Sequence, residues 1–308
     1  MAESVITVRK LVKRYGDLIA VDGIDFDVMS GEVFSMLGPN GAGKTTTVEI
    51  VECLKSKTSG EVKVLGFDID DKAREVKKRI GVLPQDFNAF DLLTVKENIE
   101  YFGGMFHEHL PADELIALVD LEDKRDEYFK NLSGGLKQRV GVAISMVNDP
   151  DIVFLDEPTT GLDPKARREV WEVIKGLKAK GKTVILTTHY MEEAEVLSDR
   201  VAIIDGGRFI ATGTPGDIIR EHGSGDIIVV RGGGMEAYTK LQGISSQVER
   251  KGNDVVVRVD RKQVLPEVVM QLERSGTYYE EMQLRRSTLE DVFLSLTGKR
   301  LGDGGEVE

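Results

Sequence analysis

Gly38-Pro39-Asn40-Gly41-Ala42-Gly43-Lys44-Thr45 is the stretch on which the reading of this 308-residue chain turns. It fits the pattern G-x-x-x-x-G-K-[ST] and follows the strand-like run FDVMSGEVFSML, the context a phosphate-cradling loop requires. Glycines there let the backbone turn its N–H groups inward on phosphate oxygens, and a helix opening at about Gly43 adds its positive dipole end. Lys44 is expected to reach the outer phosphates. Thr45 is expected to hold Mg²⁺ through its hydroxyl, and Thr46 to add a second hydroxyl nearby. The plain alternative is a chance glycine-rich turn, and the strand before and helix after argue against it.

Further along, the apolar run Ile152-Val153-Phe154-Leu155 ends in Asp156-Glu157. A buried strand thus delivers two carboxylates to the sheet edge where the phosphate loop must also lie. Asp156 is expected to bind the magnesium and Glu157 to polarise the attacking water. Side chains alternate along a strand, so both can serve one site only if the chain bends after Asp156. Pro158 is compatible with that bend.

Leu132-Ser133-Gly134-Gly135-Leu136-Lys137-Gln138-Arg139 places a hydroxyl and two glycines ahead of a helix that continues through VGVAISMV. Taken alone it is only a capped helix start. Yet LSGGLKQR lies just before DIVFLDEP and well after GPNGAGKTT, and these three motifs in this order resemble the ABC ATPases over about residues 4–220. The resemblance implies an α/β fold of the P-loop NTPase, ABC type. It further implies a head-to-tail pair in which Ser133, Gly134 and Gly135 of one copy close over ATP held by the other. Leu136 stands where that family often has glutamine.

The same resemblance assigns further positions. Tyr15 corresponds to the aromatic that stacks on adenine, and Gln85, in GVLPQDF, to the glutamine that senses Mg²⁺ and the membrane partner. Asp163, in GLDP, corresponds to the residue that contacts the opposing subunit, although Asp-Pro is also a common helix entrance. His189, after TVILTT, corresponds to the histidine that touches the γ-phosphate, a role the imidazole, neutral or charged, can fill by hydrogen-bonding that group directly.

The rest of the chain frames these motifs. Residues 66–150 read as mostly helical, with a helical subdomain at about 87–148. The strand-helix-strand order of DIVFLDEP, PKARREVWEVIKGLKAKG and TVILTTH implies a parallel sheet. RVAIIDGGRFIATG reads as a hairpin turned at Gly206-Gly207, and the turn-forming TPGDIIREHGSGD marks a boundary after residue 222. Residues 223–300 read as a small α+β domain in the ferredoxin-like order β-α-β-β-α-β. Its close, STLEDVFLSLTG, resembles the accessory domain of the drug-, lipid- and polysaccharide-exporting branch. Residues 301–308 are expected to be a mobile tail.

Composition narrows the partners. A net charge of -12 argues against a phosphate-backbone contact surface, so no nucleic acid is expected. No apolar run nears the ~18 residues that span a bilayer, so the chain is expected in the cytoplasm, peripheral at the inner membrane face, beside separate permease subunits. A single phosphate loop disfavours a ribosome-associated factor with two such modules, and no long heptad insertion suggests a chromosome ATPase. Cys53 reads as core filling, and His107 and His109 flank Glu108 with nothing distant to complete a metal site. The second ATPase copy is expected to be identical.

Overall fold

The computed structural model describes residues 3–223, 225–259, 262–299, 302, 305 and 306. Strands β1 (Ser4–Tyr15) and β2 (Leu18–Met29) open the chain, and β3 (Val33–Leu37) runs into the glycine-rich loop and helix α1 (Lys44–Val51). Then come β4 (Ser59–Val64), β5 (Phe67–Asp68), α2 (Ile69–Lys77) and β6 (Ile80–Leu83). Helices α3 (Val95–Gly103), α4 (Ala112–Leu118) and α5 (Gly134–Ser145) lie within the stretch expected to be helical. After them stand β7 (Ile152–Asp156), α6 (Pro164–Ala179), β8 (Thr183–Thr188), α7 (Met191–Leu197), the hairpin β9 (Arg200–Asp205) and β10 (Arg208–Gly213), and α8 (Pro215–His222).

A six-stranded sheet in the order β10-β9-β3-β8-β7-β6 forms the centre, and its strands are parallel except for β10. Its middle strands VFSML, IVFLD and TVILTT are buried along their whole length, as a sheet covered on both faces demands. Alternation then sorts the side chains. Phe34, Met36, Ile152, Phe154 and Ile185 join the core shared with the antiparallel sheet β2-β1-β4-β5. Val33, Val153, Leu155, Val184 and Leu186 join the core that holds α3, α4, α5 and α6. The loops after β3, β6, β7 and β8 therefore all emerge at one carboxyl edge, where ligands of open α/β sheets bind.

Two local devices fix the helical part. Thr94 and Glu97 form a reciprocal capping box at the start of α3. The buried amide of Asn98 donates to the carbonyls of Phe90, Leu93 and Thr94, which ties the preceding loop to the helix. Where α5 crosses β6, a Cβ on Gly81 would sit 1.8 Å from the Ser145 carbonyl oxygen, so only glycine permits that approach.

The second unit holds β11 (Ile227–Arg231), α9 (Gly234–Leu241), β12 (Val248–Lys251), β13 (Asp254–Arg258), α10 (Val264–Ser275), β14 (Glu281–Arg285) and α11 (Leu289–Thr297). Its sheet order β12-β13-β11-β14, antiparallel throughout, is the ferredoxin-like arrangement that the element order suggested. Contacts divide the chain into Met1–Pro215 with Leu301–Glu308, and Gly216–Arg300. The turn-rich stretch expected to end the first domain at 222 is mostly the helix α8, and the division falls at the start of that helix, between Pro215 and Gly216. In the tail, the Gly305 carbonyl accepts from the Asn40 N–H at 2.8 Å. The Gly302 N–H donates to the Glu306 carbonyl and the Gly305 N–H to the Gly302 carbonyl, each at 2.9 Å, and the other residues of the expected mobile tail lie outside those described.

Gly81→Ala should cost about 2–3 kcal/mol in denaturant unfolding, because a backbone carbonyl must yield. Gly176→Ala, inside α6 with nothing within 4 Å of the added carbon, should be neutral or stabilise by about 0.5–1 kcal/mol. Equal losses at the two positions would contradict the close β6–α5 approach.

Candidate functional site

The loop between β3 and α1 is shaped by backbone crowding. Gly43 has φ +105°, and a Cβ there would lie 2.4 Å from the Ala20 carbonyl oxygen, so the left-handed turn into α1 excludes any side chain. Lys44 is 4% exposed, and its ammonium donates to the carbonyls of Gly38 at 2.8 Å and Pro39 at 3.2 Å. The same ammonium lies 3.1 Å from Glu157 Oε1. The loop thus turns its lysine back on itself and on the carboxylate that faces it.

Glu157 reaches that position because the chain bends as expected, and the bend sits on Glu157 itself at φ +48°. A non-glycine residue there costs on the order of 1–3 kcal/mol, so the surroundings must hold it. They do so through Thr187, which pairs with Asp156 across the β7–β8 ladder. The Thr187 carbonyl and hydroxyl oxygens accept from the Glu157 N–H at 3.1 and 3.0 Å. The Thr187 hydroxyl also donates to Asp156. Sequence reading passed over Thr187 as ordinary strand; its signal was register, since a threonine opposite the first of two acids can bond that carboxylate and the backbone N–H of the next residue.

Burial opposes ionisation of Glu157, but the His189 ring at 3.1 Å from Oε2 and the Lys44 ammonium outweigh it and hold the carboxyl at about 2. Thr160 donates to the same oxygen at 3.1 Å, and the Gln85 amide stands 3.5 Å away. Asp156 behaves oppositely. Burial pushes its carboxyl up, against hydrogen bonds from Thr187 and Thr45, the latter at 3.3 Å. Tyr15, Pro39, Asn40, Gly41, Gly43, Lys44, Thr45, Thr46, Gln85 and Glu157 line one cleft of about 400 Å³.

Comparison with known proteins places this geometry. Residues 21–160 match the family described as "ABC transporter", and residues 213–297 match "ATP-binding protein DrrA1-3-like, C-terminal domain". The chain is 41% identical over 308 residues to a daunorubicin resistance ATP-binding protein, DrrA3, of Streptomyces coeruleorubidus, with 97% of each chain covered. It is 39% identical over 308 residues to a Nod factor export ATP-binding protein I of Ralstonia nicotianae, covering 97% of this chain and 95% of the relative. This chain belongs to the ATP-binding subunits of ABC transporters. Among solved structures, cbiO1 of Clostridium perfringens, part of an ABC transporter complex, has a TM-score of 0.65 at 28% identity and covers 71% of this chain and 92% of its own. A dimeric ATP-binding cassette in a post-hydrolysis state with ADP and Pi has a TM-score of 0.61 at 28% identity, covering 68% and 98%.

As a member of this family the chain is an ATPase, and the structure distributes the expected ABC positions unequally. Asp156 joins the cleft through Thr45, and His189 joins it through Glu157. Gly38 packs against the Ile204 carbonyl, and the Ala42 carbonyl accepts from the Gly207 N–H at 3.0 Å. Ser133, Gly134, Gly135 and Asp163 are not among the residues that line the cleft. Ser133 instead caps α5 through the Leu136 N–H, and Gly135 packs against Ala166 of α6. Asp163 caps α6 by accepting from the N–H groups of Lys165 and Ala166, the helix-entrance role that Asp-Pro also allowed.

One buried acid beside the ABC site carries a pH signature. Glu52, at the end of α1, is 3% exposed, and its Oε1 has no hydrogen-bond partner. Burial first, then the charges of Asp156 and Glu49, push its carboxyl up from 4.5 to about 8. The folded state therefore keeps a proton that the unfolded chain releases, and stability falls as pH rises between those two values. Glu52→Gln removes this loss. In thermal unfolding without nucleotide, the variant should gain on the wild type by a few kcal/mol, as an order of magnitude, at pH 8.5 and by little at pH 4.5. A gain independent of pH would contradict the burial of an unpaired carboxyl.

Proposed function

We propose that this ATPase works as half of a head-to-tail pair that binds two ATP molecules and drives export through separate membrane subunits. The observation that carries the reading is the division of the expected site. Lys44, Thr45, Asp156, Glu157, Gln85 and His189 gather at one edge, while Ser133 and Gly134 stand exposed away from the cleft, open to a second copy. An identical second copy supplies both halves with no further protein. Tyr15, 44% exposed at the rim with the Lys13 ammonium 4.9 Å from its ring, offers a face for adenine.

In this mechanism the incoming triphosphate takes Lys44 away from Gly38, Pro39 and Glu157. Loss of that neighbouring cation raises the basicity of Glu157, which then orients and accepts a proton from the attacking water. Gln85 and Thr160 hold the same carboxylate, and His189, released toward the γ-phosphate, donates to it. Thr45 Oγ1 and Asp156 Oδ1 are adjacent oxygen donors of the kind Mg²⁺ takes, with Gln85 in reach of the same cleft. A Mg²⁺ held by Thr45 and Asp156 would supply positive charge that neutralises the phosphate oxygens.

Export rests on the names of the relatives, and a separate permease on the chain itself, since no helix among the described residues is long and apolar enough to cross a membrane. Gln85 is placed to connect the two proteins. It lines the nucleotide cleft, while its neighbours Pro84 and Asp86 line an apolar groove of about 520 Å³ rimmed by exposed Leu54, Met105 and Phe106. A permease seated there at the inner membrane face would be felt at Gln85.

Glu157→Gln should slow ATP turnover by about 10²-fold or more while leaving ATP affinity near wild type, and an ATP-bound dimer should accumulate in size-exclusion chromatography. Turnover close to wild type would remove Glu157 from the base role. Lys44→Ala should weaken ATP binding about tenfold or more in equilibrium titration, and unchanged affinity would count against the loop assignment.

A further inference from the structure

The sheet of the second unit has two unlike faces. Ile228, Val230, Val255, Val257 and Met282 point into the core with α9 and α10. The intervening residues must point the other way. On that face Ile227 pairs with Arg258 of β13 on one side and with Arg285 of β14 on the other. Two guanidinium side chains therefore rise from a single rung on the two strands that flank β11, with Ile227 between them.

They line a cavity of about 310 Å³ together with Lys251, Arg286, Gln247 and Ser287, among others. Four cations meet two carboxylates there, Glu249 and Asp291, which leaves a surplus of two positive charges. This happens in a chain whose net charge is -12, so the surplus runs against the composition. Asp291 is already engaged by Arg285 at 2.8 Å and by the cap of α11, and Glu249 is 3.9 Å from Lys251. Among the described residues the Arg258 guanidinium bonds only the neutral Gln247 Oε1, at 2.9 Å, and neither it nor Arg286 makes an ion pair.

A second observation comes from Ser287. Its Oγ is buried and has no hydrogen-bond partner, a condition that native folds rarely leave unsatisfied. Guanidinium groups and a hydroxyl are the donors that recognise an oxyanion, and arginine holds phosphate oxygens in a two-point fork. A surplus of two charges matches a phosphate monoester dianion better than a single carboxylate. The volume suits a small ligand.

We propose that the ferredoxin-like unit binds a phosphate group between Arg258 and Arg285, with Ser287 as a further donor. This site lies wholly within the second unit and does not depend on the reading of the ATPase cleft. The group could belong to a soluble phosphate ester or to a lipid headgroup, and the two sources are separable.

The test uses the full chain carrying Lys44→Ala, which silences the phosphate loop, titrated with inorganic phosphate against sodium chloride at constant ionic strength. Calorimetry should show saturable binding of one phosphate per chain, weakened about tenfold or more by Arg258→Gln and by Arg285→Gln. Arg258 has no ion pair to lose, so its variant should melt like its parent while binding less. Flotation with phosphatidylcholine vesicles containing phosphatidic acid, compared with phosphatidylcholine alone, separates the sources. Retention abolished by Arg258→Gln assigns a headgroup, and phosphate binding without retention assigns a soluble ester. No saturable binding in either arm, or binding indifferent to both substitutions, overturns the proposal.

Discussion

A buried ammonium and a buried carboxylate, Lys44 and Glu157, face each other 3.1 Å apart where two loops meet. Neither charge could remain in that interior alone, because removing one partner of a buried pair leaves an uncompensated charge at a cost of several kcal/mol. The pair forms only because β3 and β7 lie in one parallel sheet, separated by β8, so that the loops that follow them leave the same edge. The left-handed turn at Gly43 aims the lysine, and the bend at Glu157 aims the acid. The site is thus a set of mutual constraints in which each buried charge holds the other in place.

The same constraints explain why two adjacent carboxylates behave so differently. Asp156 is pushed up by burial and leans on threonine hydroxyls, a carboxylate short of positive charge. Glu157 has the His189 ring and the Lys44 ammonium beside it and is held down. In the proposed mechanism, a nucleotide that draws off Lys44 removes part of this imbalance and leaves Glu157 the stronger base. The structural cost of positioning Glu157 is carried by Thr187, which belongs to a different strand and bonds the Asp156 carboxylate and the Glu157 N–H.

Much of this was legible in the residues. The glycine spacing located the phosphate loop, continuous apolar runs identified the parallel strands, and the order β-α-β-β-α-β was readable in the second unit from alternation and turn formers. Three things were not. Thr187 acts through strand register, which sequence alone does not reveal. Gly81 is required by the approach of α5, a contact between residues far apart in the chain. The stretch 215–222 contains Pro and Gly that signal a turn, yet Ile218 finds a buried site and the segment forms α8, because packing outweighs local propensity. Ser133, Gly134 and Gly135 were legible as a motif, but their separation from the cleft required the three-dimensional arrangement.

The composite nature of the site is tested most directly by mixing two disabled chains. Lys44→Ala removes the loop's cation, and Ser133→Arg blocks the exposed start of α5, so each variant alone should lack turnover. A dimer of one chain of each kind retains one intact pairing of loop and opposing serine. ATP hydrolysis by the mixture is the measurement, and the account predicts recovery of activity that neither variant shows alone. No recovery from dimers shown to contain both chains, or full activity of Ser133→Arg by itself, would contradict a triphosphate held between two copies.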